Sequence, residues 1–168
     1  IAFRVNLLSP LASAFSVLFL YFIIVQLVNH WRGKIETNTD ALIAFGGGVV
    51  GSLTFAFTDS HWFNAVEAEV YAFSTFFTAI VVWLALVWSE KADEKGNERY
   101  ILIIAYMIGL ATGLHLLNLL TIPFVALLIY FKKYKFEWTS FAILVVITGL
   151  VFFIIHNVII KGMPKIAD

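Results

Sequence analysis

The chain has 168 residues, of which 61% are hydrophobic and 13% charged, about half the charged share of an ordinary soluble domain. That deficit excludes a water-soluble globular core, and the 17 Phe, 6 Tyr and 5 Trp suit lipid-facing surfaces and the interfacial belts where amphipathic rings settle. Eleven basic against eleven acidic residues leave no basic field for a nucleic-acid backbone, and the absence of cysteine removes disulfides, thiolate metal sites and cysteine nucleophiles together.

The chain opens at Ile1 and runs into an apolar segment without the small-residue cleavage site of a signal peptide, so it reads as an internal fragment of a larger protein. A membrane helix needs about 20 apolar residues. Residues 7–28 supply the first such stretch, 41–57 a shorter and glycine-rich second, and 70–88 an aromatic third. Gly47 and Gly51, and later Gly109 and Gly113, have the four-residue spacing that lets helix backbones approach closely in lipid.

Residues 100–131 carry no charge and would form one helix of about 48 Å, too long for a single crossing. Lys91, Lys95 and Arg99 precede this stretch and Lys132, Lys133 and Lys135 follow it. The excess of basic residues in cytoplasmic loops places both ends on the same side, so the stretch must cross twice. Spans at 100–116 and 119–131 result, turning near His115 to Pro123, where Pro123 disfavours helical geometry at Ile122. Residues 141–160 form a last span. The predicted fold is all-α, a single polytopic transmembrane bundle of about six helices over 1–168.

In that topology Arg32 and Lys34 fall in the cytoplasm, and the loop 58–69 falls outside, with Asp59, Glu67 and Glu69 and no Lys or Arg. Arg4, Lys161 and Lys165 stand at outer ends and depart from the pattern. No Asp, Glu, Lys or Arg lies mid-span, where a transporter would place its ionisable site.

Chemistry therefore concentrates on the outer face. Asp59, His61, Asn64, Glu67, Glu69 and Tyr71 lie close together in sequence between two spans. Asp59 either belongs to a site or caps a short interfacial helix anchored by Trp62 and Phe63. Glu67 and Glu69, two positions apart, would point to opposite sides of a helix, so that one faces protein; Tyr71, four residues beyond Glu67, would share its face. His115 and Asn118, three apart, would project from one helical side near the same surface, to bind a phosphate or sugar or to satisfy helix-end backbone groups. The spacing of His61, Glu67, Glu69 and His115 matches no ligand signature, so neither a metal nor another cofactor is expected. His156 and Asn157 are assigned to helix packing.

Three stretches carry a resemblance: RVNLLSPLASAFSVLFLYF, TDSHWFNAVEAEVYAFSTFF and IAYMIGLATGLHLLNLLTIPFVALLIYF. They closely resemble large bacterial membrane proteins catalogued as a domain of unknown function, related to eukaryotic transmembrane protein O-mannosyltransferases and, more broadly, similar to the GT-C glycosyltransferase superfamily. The resemblance implies a bacterial inner-membrane enzyme that passes a sugar from a polyprenyl-phosphate donor to a protein acceptor on the extracytoplasmic side. It also implies a catalytic carboxylate in an external loop before Arg4, a large soluble region at the C-terminal end, and supporting roles for Asn6, Glu67, Glu69, Tyr71, His115 and Asn118. Without that loop the fragment alone is expected to be inactive. The expected step is an inverting displacement, in which a carboxylate deprotonates a Ser or Thr hydroxyl as the lipid phosphate leaves; Arg4 and His115 are the outer-face groups able to meet the leaving charge. A membrane transporter and a non-catalytic membrane scaffold are the alternatives.

Overall fold

The computed structural model describes residues 6–67 and 69–162, so Arg4 and Lys165 lie outside the described residues. The described chain is helical and forms two compact units, Ile1–Asn118 and Leu119–Asp168. Seven helices follow in chain order: α1 Leu8–Arg32, α2 Asn38–Ala56, α3 Asp59–Val66, α4 Val70–Lys91, α5 Glu98–Leu114, α6 Thr121–Lys133 and α7 Trp138–Ile154. A π-helical turn at Leu42–Gly46 interrupts α2, and another, Ile155–Ile160, extends α7. Among the described residues, five helical stretches are long and apolar enough to cross a membrane: α1, α2, α4, Leu116–Lys133 and Trp138–Val158. The 17 residues of α5 rise about 25 Å, one residue short of that set. The chain is a multi-pass membrane protein.

In the first unit the helices alternate in direction. Phe15 and Phe19 of α1 meet Phe76, while Phe19 and Phe22 meet Trp83, at centroid separations of 5.2–6.2 Å, so α1 and α4 run parallel. Gly48 lies against Tyr21 and Val25, whereas Ala56 shares a cavity wall with Pro10 and Ser13, so α2 runs against α1. Trp88 Nε1 donates to Asn97 Oδ1 at 3.3 Å near one end of α4, while Ser74 and Thr78 reach Asn118 near the other. Helix α5 therefore returns antiparallel to α4.

Small residues let these helices close up. Helix α1 buries Ser9, Ala12, Ser13, Ser16 and Ile23, and the Ser16 hydroxyl donates to the Ala12 carbonyl at 2.8 Å. Such a seam admits a neighbouring backbone without stranding long polar side chains in lipid. On α2 the buried face runs Ala44, Gly48 and Ser52. A Cβ on Gly48 would lie 2.8–2.9 Å from Val25 and Tyr21, and one on Gly51 2.7 Å from Ile24, whereas one on Gly47, Gly109 or Gly113 would meet open space. The close approach thus uses Gly48 and Gly51 instead of the expected Gly47 and Gly51, because Gly47 sits about 100° around the helix from Gly48. The pair Gly109 and Gly113 has no such neighbour.

The expected break within 100–131 falls at His115, which caps α5 in extended geometry (φ −152°, ψ 128°) and is followed by a 3₁₀ turn, Leu116–Leu120. Pro123 does not make the break, and Ile122 is helical. Proline occupies the first turn of α6, where its missing N–H would have had no intrahelical partner. In the second unit α7 buries none of its residues, and Tyr130 closes the α6–α7 turn. Its hydroxyl accepts from the Glu137 N–H at 3.1 Å and shares a hydrogen bond with Ser140 Oγ at 2.8 Å.

Candidate functional site

The alternating directions in the first unit gather the α2–α4 connection and the C-terminal end of α5 at one end of that unit. Thr58, with extended backbone, is the N-cap of α3, although its hydroxyl donates back to Phe55 O at 2.8 Å. Asp59 follows, exposed, in the first helical turn, where a carboxylate is favoured by the unpaired N–H groups and the helix dipole. Asp59 is thus a first-turn residue, not the cap. Trp62 and Phe63 are 58% and 62% exposed, as an interfacial anchor requires.

His61 faces the other way. It is buried, its ring 4.4 Å from that of Phe55, and it lines a cavity of about 270 Å³ with Ser13, Ala14, Val17 and Trp62. Burial pushes its pKa below the ordinary histidine value, partly offset by the backbone of Ser13. The Ser13 hydroxyl, in the same wall, is buried and has no hydrogen-bond partner among the described residues. The walls of this cavity carry no carboxylate.

Glu67 and Glu69 lie between helices. Glu67 ends α3 and Glu69 is the N-cap of α4; both have extended backbone and both are exposed. The expected helical opposition therefore fails, and neither carboxylate is packed against protein. Glu69 makes no side-chain cap bond, so its carboxylate is not used to stabilise α4. Tyr71, in the first turn of α4, is not a helical neighbour of Glu67. Its ring lies instead 5.4 Å from the His115 imidazole.

His115 is half-buried, and its Nδ1 accepts the Leu117 N–H at 3.3 Å. With Nδ1 accepting, a neutral ring carries its proton on Nε2, which is then a donor. Asn118 does not share its face: it is 2% exposed. Its Oδ1 accepts from Ser74 at 3.2 Å and Thr78 at 3.0 Å, and its Nδ2 donates to the Ala111 and His115 carbonyls, each at 3.0 Å. Asn118 thereby gives a second donor to two carbonyls that already accept the His115 and Asn118 backbone N–H groups, and it ties the break to α4. Ser74 and Thr78 escaped sequence reasoning, although two hydroxyls four apart in an apolar span were a usable signal.

Asn6 is exposed near the start of α1. Asn157 donates to Phe153 O at 3.1 Å, and His156 stacks on Phe152, both local to their own helix. What the first unit assembles is an exposed set of three carboxylates, Asp59, Glu67 and Glu69, at the same end as a fixed Tyr71–His115 pair. Carboxylates can accept a proton or hold sugar hydroxyls, and an imidazole N–H can meet an anionic oxygen.

A family model described as the Protein O-mannosyl-transferase TMEM260 N-terminal domain matches residues 1–138, which include every residue of this set. No curated protein matches the chain, and no solved structure does.

Proposed function

The chain belongs to the protein O-mannosyl-transferase TMEM260 N-terminal domain family, and on that premise we propose that it is part of a GT-C-type membrane glycosyltransferase. In this reading the enzyme moves a sugar, mannose by the family's name, from a polyprenyl-phosphate donor to a hydroxyl of a protein acceptor. The observation that carries the proposal is the meeting of Tyr71 and His115 at the end of the unit that also presents Asp59, Glu67 and Glu69. The face is the extracytoplasmic side of a bacterial inner membrane, a placement supported by the lack of Lys and Arg between residues 58 and 69.

Each group has a distinct task. Glu67 and Glu69, kept at the water boundary on extended backbone, hold the acceptor hydroxyl or the sugar and assist proton removal. The Nε2–H of His115 donates to a phosphate oxygen as negative charge develops on the leaving group. Tyr71 fixes the plane of that imidazole, and Asn118 acts through His115, as a positioning residue.

The test is transfer from polyprenyl-phosphate mannose to a Ser/Thr peptide by the full-length protein carrying Glu67→Gln, Glu69→Gln or His115→Ala. Loss of transfer, at least tenfold for His115→Ala and for one of the glutamate variants, is expected for single groups that stabilise a transition state. Undiminished transfer in all three removes this site from the reaction.

A further inference from the structure

Helix α3 is eight residues long and is joined to its neighbours through extended backbone, at Thr58 (ψ 142°) and at Glu67 (ψ 136°). Its N-cap makes no side-chain bond. A helix this short is marginal by itself, so packing must hold it. Yet His61 is the one residue of α3 that is buried, 7% exposed, whereas its large apolar side chains Trp62, Phe63 and Val66 are all more than half exposed. The docking of α3 on the bundle therefore depends on a single imidazole.

The surroundings of that imidazole suit only its neutral form. Its ring lies 4.4 Å from that of Phe55 on α2, and the adjoining cavity of about 270 Å³ is walled by Pro10, Ser13, Ala14 and Val17 of α1 and Ala56 of α2. Neither residues 7–20 of α1 nor residues 41–57 contain an ionisable side chain. The nearest such groups on α4 are its N-cap Glu69 and Tyr71, and on α3 itself Asp59 and Glu67; all four are exposed, and none belongs to the cavity wall. Among the described residues, then, an imidazolium in this position would find no carboxylate to offset its lost hydration.

We propose that His61 is an acid-sensitive latch: neutral, it docks α3 on α1 and α2; protonated, it leaves the apolar site and frees the helix. The sign follows from the two states of the ring. Burial lowers the pKa of the docked imidazole, while a released one returns to about 6.5. Release is thus coupled to proton uptake, so docking is complete above about pH 6.5 and weakens as the pH falls below it. Glu67 is the residue at which α3 ends, so release also moves that carboxylate. The effect on sugar transfer rests on the function proposed above; the release of α3 does not.

The test is amide hydrogen exchange of the full-length protein in detergent, followed by mass spectrometry at about pH 7.5 and about pH 5.5, each corrected for the intrinsic exchange rate. The amides of residues 62–67, bonded back into α3 from Trp62 N–H to Thr58 O through Glu67 N–H to Phe63 O, should lose protection at least about threefold on acidification. Those of α4 should keep theirs. In His61→Phe, whose ring suits the same walls and cannot be protonated, α3 should be equally protected at both values.

Unchanged protection of α3 in the wild type overturns the latch. So does an equal loss in α4, which would mean that the whole unit opens, or an acid-induced loss of α3 protection that persists in His61→Phe. The comparison of α3 with α4 in the wild type needs no substitution and decides the matter even where the variant fails to fold. Because exchange reads the release alone, an enzyme without transferase activity would leave this result standing.

Discussion

The ring of Tyr71 lies 5.4 Å from the imidazole of His115, tilted by 56°, so the first turn of α4 touches the residue at which α5 stops. Forty-four positions separate the two in sequence. Their contact makes the orientation of His115 depend on two elements, through Leu117 on its own strand of chain and through Tyr71 across the unit.

If Tyr71 acts by fixing that ring, its own hydroxyl is dispensable. Tyr71→Phe should retain transfer within about twofold, since it keeps the ring contact, whereas Tyr71→Ala removes a contact of roughly 1 kcal/mol and should lower kcat several-fold. Steady-state transfer kinetics on both variants decide the matter. Equal losses in the two would show that the hydroxyl carries the effect.

Asn118 is the structural counterpart of that pair. Asn118→Ala strips acceptors from Ser74 and Thr78 and a shared donor from the Ala111 and His115 carbonyls. The two carbonyls keep their backbone N–H partners, so the two hydroxyls left without an acceptor set the cost, about 1–2 kcal/mol in all. Ser74→Ala or Thr78→Ala alone leaves the other hydroxyl on Oδ1 and should cost about 0.5–1 kcal/mol. Thermal unfolding of the detergent-solubilised protein measures all three. A near-silent Asn118→Ala would mean that water or lipid replaces the amide.

A dependence on acidity follows from His61. Its folded-state pKa is depressed, chiefly by desolvation, from an ordinary 6.5. Between the folded and unfolded values the unfolded chain therefore binds more protons, and stability rises with pH. The contribution from a neutral, buried His61 is complete above about pH 6.5 and declines as the pH falls below it. Unfolding temperatures from pH 7.5 to 5 should fall more steeply for the wild type than for His61→Phe, whose ring suits the same apolar walls. Parallel curves would assign the acid sensitivity to other groups.

The apolar helices were legible in the sequence because lipid imposes a length and an apolar composition on any helix that crosses it. The break near His115 was also legible, from its basic flanks, though not its cause: Pro123 sits harmlessly inside α6. Glu67 and Glu69 were misplaced because helical periodicity was carried through a link where no helix runs. Of the two readings open for Asn118, the structure has the one in which it bonds helix-end carbonyls; its hydroxyl partners were not legible, because they lie 40 and 44 residues away and nothing local announces them. Which residues gather at one end of a bundle follows from topology; whether each faces water or protein depends on neighbours distant in sequence.

The same limit applies to the glycines, and there it yields a sharp comparison. A side chain at Gly48 meets the Tyr21 ring and Val25 at 2.8–2.9 Å, whereas one at Gly109 meets nothing within 4 Å. Tyr21 is a rigid ring on the facing helix α1, so Gly48→Val can be accommodated only by moving that helix or forcing the ring from its rotamer. Overpacking of this kind costs about 1–3 kcal/mol. Gly51→Ala should fall lower in that range, because the atom it meets is the movable end of Ile24. Gly109→Val should stay within about 0.5 kcal/mol of the wild type. Unfolding temperatures of the three variants in one detergent should rank Gly48→Val lowest and Gly109→Val nearest the wild type. The reverse order would place the close helix contact on α5, where the sequence spacing alone had also allowed it.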